Sequence, residues 1–139
     1  VHLSPTPCWR RVQKLEADGV IRKRVALLEP TLLNAGVTVF VAIKTNQHSA
    51  AWAERFTKAV SAIPEVLEFY RMSGDVDYLL RVVVPDMPSL ERFIVDYLAK
   101  IPGVSNIRSS FALKQVKYKT ALPLPIKTRE ARAARRYRK

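Results

Sequence analysis

Four short stretches decide the fold: VTVFVAIK at residues 37–44, IPEV at 63–66, VDYLLRVVV at 76–84 and IPGV at 101–104. Ile63-Pro64-Glu65-Val66 and Ile101-Pro102-Gly103-Val104 are one punctuation mark used twice, 38 positions apart. Each follows a helical pattern and precedes a strand pattern. Ahead of the first lie the β-branched run Val37–Lys44 and a helical segment, Ala50–Ala62, in which Ala53, Phe56, Val60 and Ile63 recur at helical spacing. Ahead of the second lie Val76–Val84 and a segment Met87–Lys100. Its residues Leu90, Phe93, Ile94, Tyr97 and Leu98, with Ile101, make a wide apolar stripe. Asp86 suits its N-cap, and Pro88 falls in its first turn, where a missing N–H costs little. The returning strands are expected at Val66–Met72 and Val104–Lys117. The order is therefore βαβ followed by βαβ, joined by the tight turn Ser73-Gly74-Asp75. Right-handed crossovers interleave two such halves into a four-stranded antiparallel sheet with both helices on one face, an α+β, ferredoxin-like βαββαβ domain. The opposite face is rich in Val, Leu, Phe and Tyr and is expected to meet a second subunit.

Upstream, LSPTPCWRRVQKLEADGVI at residues 3–21 reads as a single helix, Ser4–Asp18. Ser4 suits the N-cap, Pro5 and Pro7 the first turn, and Gly19 the stop. Cys8, Val12 and Leu15 share an apolar face, on which Cys8 reads as a buried, inert thiol. The other face carries Thr6, Trp9, Arg10, Gln13 and Lys14. A narrow apolar stripe backed by a cationic, hydrogen-bonding face is what a helix needs to dock on a small core and enter a DNA major groove, although on pattern alone an ordinary surface helix is the plainer reading. Between this helix and the sheet, RKRVALLEPTLLNAG at 22–36 reads as a linker strand and hinge.

The 139 residues carry a formal net charge of +12, unevenly placed: +4 in residues 1–24, +2 in 25–126 and +6 in 127–139. A nearly balanced globule with basic ends suggests a polyanion partner, nucleic acid or an anionic membrane, the plainer alternative being solvated charge. Cys8 is the only cysteine, so neither an internal disulfide nor a cysteine-based zinc site is possible. No leader pattern or apolar run of transmembrane length is present in the sequence, and a cytoplasmic location without membrane contact is the expectation. The two histidines, His2 and His48, form no Ser-His-Asp set, and the four glycines are isolated rather than gathered into a phosphate loop. No catalytic residue, metal or cofactor is expected.

Three motifs carry a resemblance. The LSPTPC, RRV, LE and GVI pieces of residues 3–21 are similar to the recognition-helix segment of the Lrp/AsnC (feast/famine) transcription regulators. GDVDYLLRVVVPD at 74–86 and IPGVSNIRSSFALKQVKYKTALPL at 101–124 resemble the ligand-sensing domain of the same family, in the same order and spacing. The resemblance implies an N-terminal helix-turn-helix, a β linker and a βαββαβ sensor that forms homodimers and often octamers. It also implies duplex DNA as one partner and a small effector, usually an amino acid, as another. The helices that precede the recognition helix in that family have no counterpart in residues 1–3, so the helix-turn-helix is partial. The basic tail is not a family feature. The organisation expected is a partial helix-turn-helix at 1–21, a linker at 22–36, a sensing and oligomerisation domain at 37–119 and a basic tail at 120–139.

With that resemblance, Arg10 and Lys14 are candidates for guanine edges or phosphates, Ser4 and Thr6 for a phosphate at the helix N-terminus, and Arg11 for backbone. Trp9 suits a sugar or a neighbouring helix. The tail from Lys127 to Lys139 either neutralises phosphates or is simply solvated. The effector is expected near the turn between the second and third strands and the last strand. Gly74 permits a positive φ there. Asp75 and Asp77 offer carboxylates to an ammonium, Tyr78 a phenol, and Ser109 and Ser110 donors to a carboxylate, while Met72 and Ile107 line an apolar pocket. The plainer reading of Gly74-Asp75 is a hairpin turn, which is compatible with a site. Two alternatives remain open: a sirohaem-decarboxylase-like enzyme, which resembles this family in fold, and a stand-alone ligand-binding or assembly module without DNA binding.

Overall fold

A computed structural model of the chain describes residues 5–123. Ser4 and the basic segment 127–139 lie outside the described residues. The elements are α1 (Pro5–Ala17), a 3-10 turn (Pro30–Leu33), β1 (Val37–Thr45), α2 (Ala50–Ser61), β2 (Val66–Arg71), β3 (Tyr78–Val84), α3 (Met87–Arg92) and β4 (Val104–Phe111). The four strands form one antiparallel sheet in the order β2-β3-β1-β4, which is the interleaved βαββαβ arrangement.

The period-2 alternation of the central strands sets which side is dry. Val39, Val41 and Ile43 of β1 and Leu80, Val82 and Val84 of β3 are fully buried, and each of these six residues alternates with a partly or largely exposed neighbour. Both helices cover that one side. Trp52, Phe56 and Val60 come from α2; Leu90, Phe93 and Leu98 come from α3 and its continuation. Aromatic rings tie α2 to the β2–β3 pair: Phe56 lies 4.8 Å from both Trp52 and Tyr78 and meets Phe69 edge-on at 5.8 Å. The two helices start as expected, with Ser49 Oγ accepting from Trp52 N–H and Asp86 Oδ1 from Ser89 N–H.

The uncovered face is less apolar than the strand composition suggests. Phe40, Leu79, Val83 and Tyr70 share it with an Arg81–Glu68 ion pair (3.0 Å), whose arginine sits on a central strand. The pair is directly cross-strand, which gives both charges a partner on a half-buried surface.

Four sequence expectations are corrected. The helix 87–100 is not uniform: after Arg92 the chain opens into a π-helical turn over Phe93–Leu98, with Ala99 N–H donating to Ile94 O at 2.8 Å. Phe93 and Leu98 would diverge by about 140° around an α-helix, and the wider turn lets both reach the core. The last strand ends at Phe111, not Lys117, because β1 begins at Val37 and the chain past Ala112 N–H···O=C Thr38 has no backbone left to pair with. Residues 22–29 are not a strand: no ladder bond joins them to another stretch among the described residues, and the segment ends in a 3-10 turn capped by Glu29. Cys8 is exposed rather than buried, since α1 buries none of its residues.

Candidate functional site

The N-terminal helix forms where its punctuation places it. Gly19 takes φ +73° and its N–H donates to Glu16 O, while Ile21 N–H returns to Leu15 O. Thr6, Arg10 and Lys14 are spaced by four and so share a face. All three are exposed, as is Arg11. The apolar stripe is open as well: Val12 is only half-buried and Leu15 is 40 % exposed. The chain then turns back, and Arg24 meets the helix. Its Nε lies 2.6 Å from Glu16 Oε1, and its guanidinium sits 5.2 Å from the centre of the Trp9 ring. The Trp9 ring lies under Arg24.

The second set of candidates gathers at the turn between β2 and β3. Met72, Gly74 and Asp75 are exposed there, and Gly74 takes φ +124°, which a side chain would make costly. Asp77 is half-buried and engaged: its Oδ2 accepts from Thr45 N–H at 2.8 Å, and its own N–H donates to Ile43 O. Its Oδ1 has no hydrogen-bond partner among the described residues. Tyr78 points its ring into the aromatic cluster, is 5 % exposed, and helps to line a cavity of about 490 Å³ between α2 and β2. Arg71 and Lys58 stand on opposite walls of that cavity, and neither is in an ion pair among the described residues.

The two serines are elsewhere in the same chain. Tyr78 pairs with Ile43, and Ile43 with Ile107, so β4 is two strand spacings away, about 10 Å. Ser109 faces the helices and lines an apolar cavity of about 440 Å³ with Met87, Leu90, Ile94 and Phe111. Ser110 is opposite Phe40 on the other face. Ile107 packs against the core from the helix side. The structure therefore places Met72, Gly74, Asp75 and Asp77 on one turn, directs the Tyr78 ring beside it into the core, and leaves Ser109 and Ser110 apart from them within one chain.

Sequence reasoning missed the knot that holds this end of the sheet. Thr45 Oγ1 donates to Gly103 O (2.8 Å) and accepts from Gln47 N–H (2.9 Å). Trp52 Nε1 donates to Pro102 O (2.6 Å). Gly103 has φ +92°, and a Cβ there would lie 2.7 Å from Trp52 Nε1. The available signal was the indole, since a buried Trp N–H requires an acceptor. Among the described residues no group of three or more His, Cys, Asp or Glu side chains is placed to hold a metal ion, and no helix is long and apolar enough to cross a membrane.

Known proteins match both parts of this layout. Residues 38–122 match the Lrp/AsnC ligand-binding domain, and residues 1–22 match a winged helix-turn-helix DNA-binding family. The chain belongs to the Lrp/AsnC family of transcription regulators. It is 48 % identical over 124 residues to the DNA-binding transcriptional activator DecR of Escherichia coli K12, covering 89 % of this chain and 82 % of that protein. Among solved structures, an AsnC family transcriptional regulator from Agrobacterium tumefaciens is 60 % identical with a TM-score of 0.81, over 87 % of this chain and 78 % of that one. A transcriptional regulator from Neisseria meningitidis, solved as a complex with L-Met, is 38 % identical with a TM-score of 0.82, over 88 % and 79 %. As an Lrp/AsnC member the chain combines a helix-turn-helix fragment with the ferredoxin-like domain of its relatives.

Proposed function

We propose that this Lrp/AsnC regulator reads duplex DNA with the cationic face of α1 and senses an amino acid at the β2–β3 end of its sheet. The observation that carries the reading is the spacing and exposure of Thr6, Arg10 and Lys14 within residues that match a DNA-binding family. Arg10 and Lys14 meet base edges or phosphates in the major groove, and Arg11 meets the backbone. Ser4 and Thr6 donate to a phosphate at the helix N-terminus, where the helix dipole favours an anion. The open stripe of Val12 and Leu15 is the surface that the rest of a helix-turn-helix would cover. Replacing Arg10 and Lys14 with Ala tests this: operator affinity falls in a gel-shift titration, and unchanged affinity contradicts it.

For the effector, Asp75 and the free oxygen of Asp77 face the ammonium, Gly74 keeps the turn open, and Met72 and Tyr78 supply the apolar wall. Arg71, opposite Tyr78 across the β2–β3 pair and lining the same cavity, is a ready partner for the carboxylate. Ser109 and Ser110 join the site only from a neighbouring copy, so the reading includes a homodimer assembling towards an octamer. Support comes from the uncovered sheet face and from the L-Met held by the Neisseria relative. The role is regulatory rather than enzymatic, as it is for the relatives, and the site of action is the cytoplasm. Calorimetry with the common amino acids checks the pocket. Asp75→Ala weakens the binding found for wild type without changing the fold, and silence throughout for wild type contradicts the reading.

A further inference from the structure

The cations at the N-terminal end are not equivalent. Among the described residues Arg10, Arg11, Lys14, Arg22 and Lys23 are in no ion pair, whereas Arg24 is held twice. Its Nε is 2.6 Å from Glu16 Oε1, and its guanidinium carbon lies over the Trp9 ring, 5.2 Å from the centroid. Trp9 and Glu16 are seven residues apart, two helical turns, so both stand on one side of α1 and Arg24 spans them. Arg24 lies five residues past Gly19, whose φ of +73° reverses the chain. The contact therefore closes a loop, helix to turn to linker and back to helix.

Each half of the contact is weak by itself, because an exposed ion pair and an exposed cation–π contact are worth little. Together they suit a flat, forked cation, which offers an edge to the carboxylate and a face to the indole. Lysine has neither the edge nor the face.

We propose that Arg24 is a positioning residue for DNA recognition. By clamping the linker onto Glu16 and Trp9 it fixes the direction in which the chain leaves α1, and so the angle at which Arg10 and Lys14 are presented; its own charge is withheld from the DNA. The proposal rests on the DNA reading above. It divides the basic end into free cations that meet phosphate or base and one bound cation that aims them.

The two roles Arg24 can have, clamp or phosphate contact, predict opposite signs for one substitution. Glu16→Gln removes an acid near a polyanion and releases Arg24. If Arg24 were a phosphate contact, both effects would tighten binding. If it is a clamp, binding weakens. The assay is a fluorescence-anisotropy titration of the full chain at several salt concentrations, using a duplex that the wild-type chain selects from a random pool. Glu16→Gln is expected to weaken binding about threefold and Arg24→Lys about fivefold, each with the slope of log affinity against log salt unchanged, since no phosphate contact is lost. Tighter binding by Glu16→Gln, or wild-type affinity for Arg24→Lys, overturns the proposal. A second readout needs no DNA. The Arg24 Nε–H proton resonance of wild type is displaced by the Trp9 ring current and returns towards the free-arginine position in Trp9→Ala and Glu16→Gln. An undisplaced wild-type resonance overturns the clamp. If the wild type selects no duplex while the displacement is present, the DNA reading fails and the clamp stands.

Discussion

The sheet unit and the N-terminal helix are built on opposite economies. Between Val37 and Phe111, fourteen apolar side chains are buried against one another, and the loops at one end of the sheet are knotted by Thr45, Asp77, Trp52 and Gly103. Between Pro5 and Ala17 no residue is buried, and the side-chain contacts of the helix among the described residues run to its own linker through Arg24. A helix of this length gains little stability from propensity alone and relies on packing of its apolar stripe. The difference teaches where each function can reside. A stable sheet can hold a ligand pocket in fixed geometry, whereas a helix with an open stripe and a free cationic face takes its final order from what it binds.

Substitutions in the two regions break or sharpen that contrast, and the largest effects belong to the sheet. Phe56→Ala removes the ring that touches Trp52, Phe69 and Tyr78, and should cost about 3–5 kcal/mol in denaturant unfolding. A loss under about 1 kcal/mol would mean that the aromatic cluster is not the keystone argued here. Gly103→Ala should cost about 2–3 kcal/mol, because a left-handed backbone is combined with a Cβ pressed on Trp52, whose indole is pinned to Pro102. Next comes Asp77→Ala. It frees a half-buried Thr45 N–H and should lower stability by about 1–2 kcal/mol. In the effector assay it should weaken binding more than Asp75→Ala, because it disturbs the turn as well as removing a charge. By contrast, Val12→Ala with Leu15→Ala should leave the unfolding midpoint of the sheet unit unchanged within error, and a large shift would show that α1 packs on it.

The smallest effect is a pH dependence. The Ser89 hydroxyl and N–H donate to Asp86 and hold its carboxyl below the ordinary aspartate range. A carboxyl lowered in the folded state stabilises fully above its unfolded pKa, and that contribution is lost as pH falls through the folded value. The melting temperature of wild type should therefore approach that of Asp86→Ala as the pH drops below the aspartate range, and a constant gap down to the lowest pH would contradict the cap.

Much of the sheet was legible because its signals are local. The twofold repeat of Ile-Pro-x-Val, the alternation in Val37–Lys44 and the stripes of Phe56 and Leu90 each lie within a window of a few residues, and they yield the strand order once crossovers are right-handed. The misses are all non-local. Where β4 stops depends on where β1 starts. The linker at 22–29 reads as extended, but a strand exists only with a neighbour to pair with. The π-helical turn answers the need to bury both Phe93 and Leu98, which no single period announces. At the candidate sites the face of α1 was readable from helical spacing, while the bond between Asp77 and Thr45 spans 32 residues and the one between Trp52 and Pro102 spans 50. Cys8 was misplaced because an apolar stripe in sequence was taken to be covered, and in the structure it is open.

Hydrogen–deuterium exchange with and without the selected duplex tests the central claim most directly. The account predicts that amides of β1 and β3 are strongly protected in both conditions, and that those of Pro5–Ala17 exchange quickly alone and slow down when DNA is added. Exchange in α1 that is unaffected by DNA, with any DNA-induced protection confined to the sheet, would contradict it.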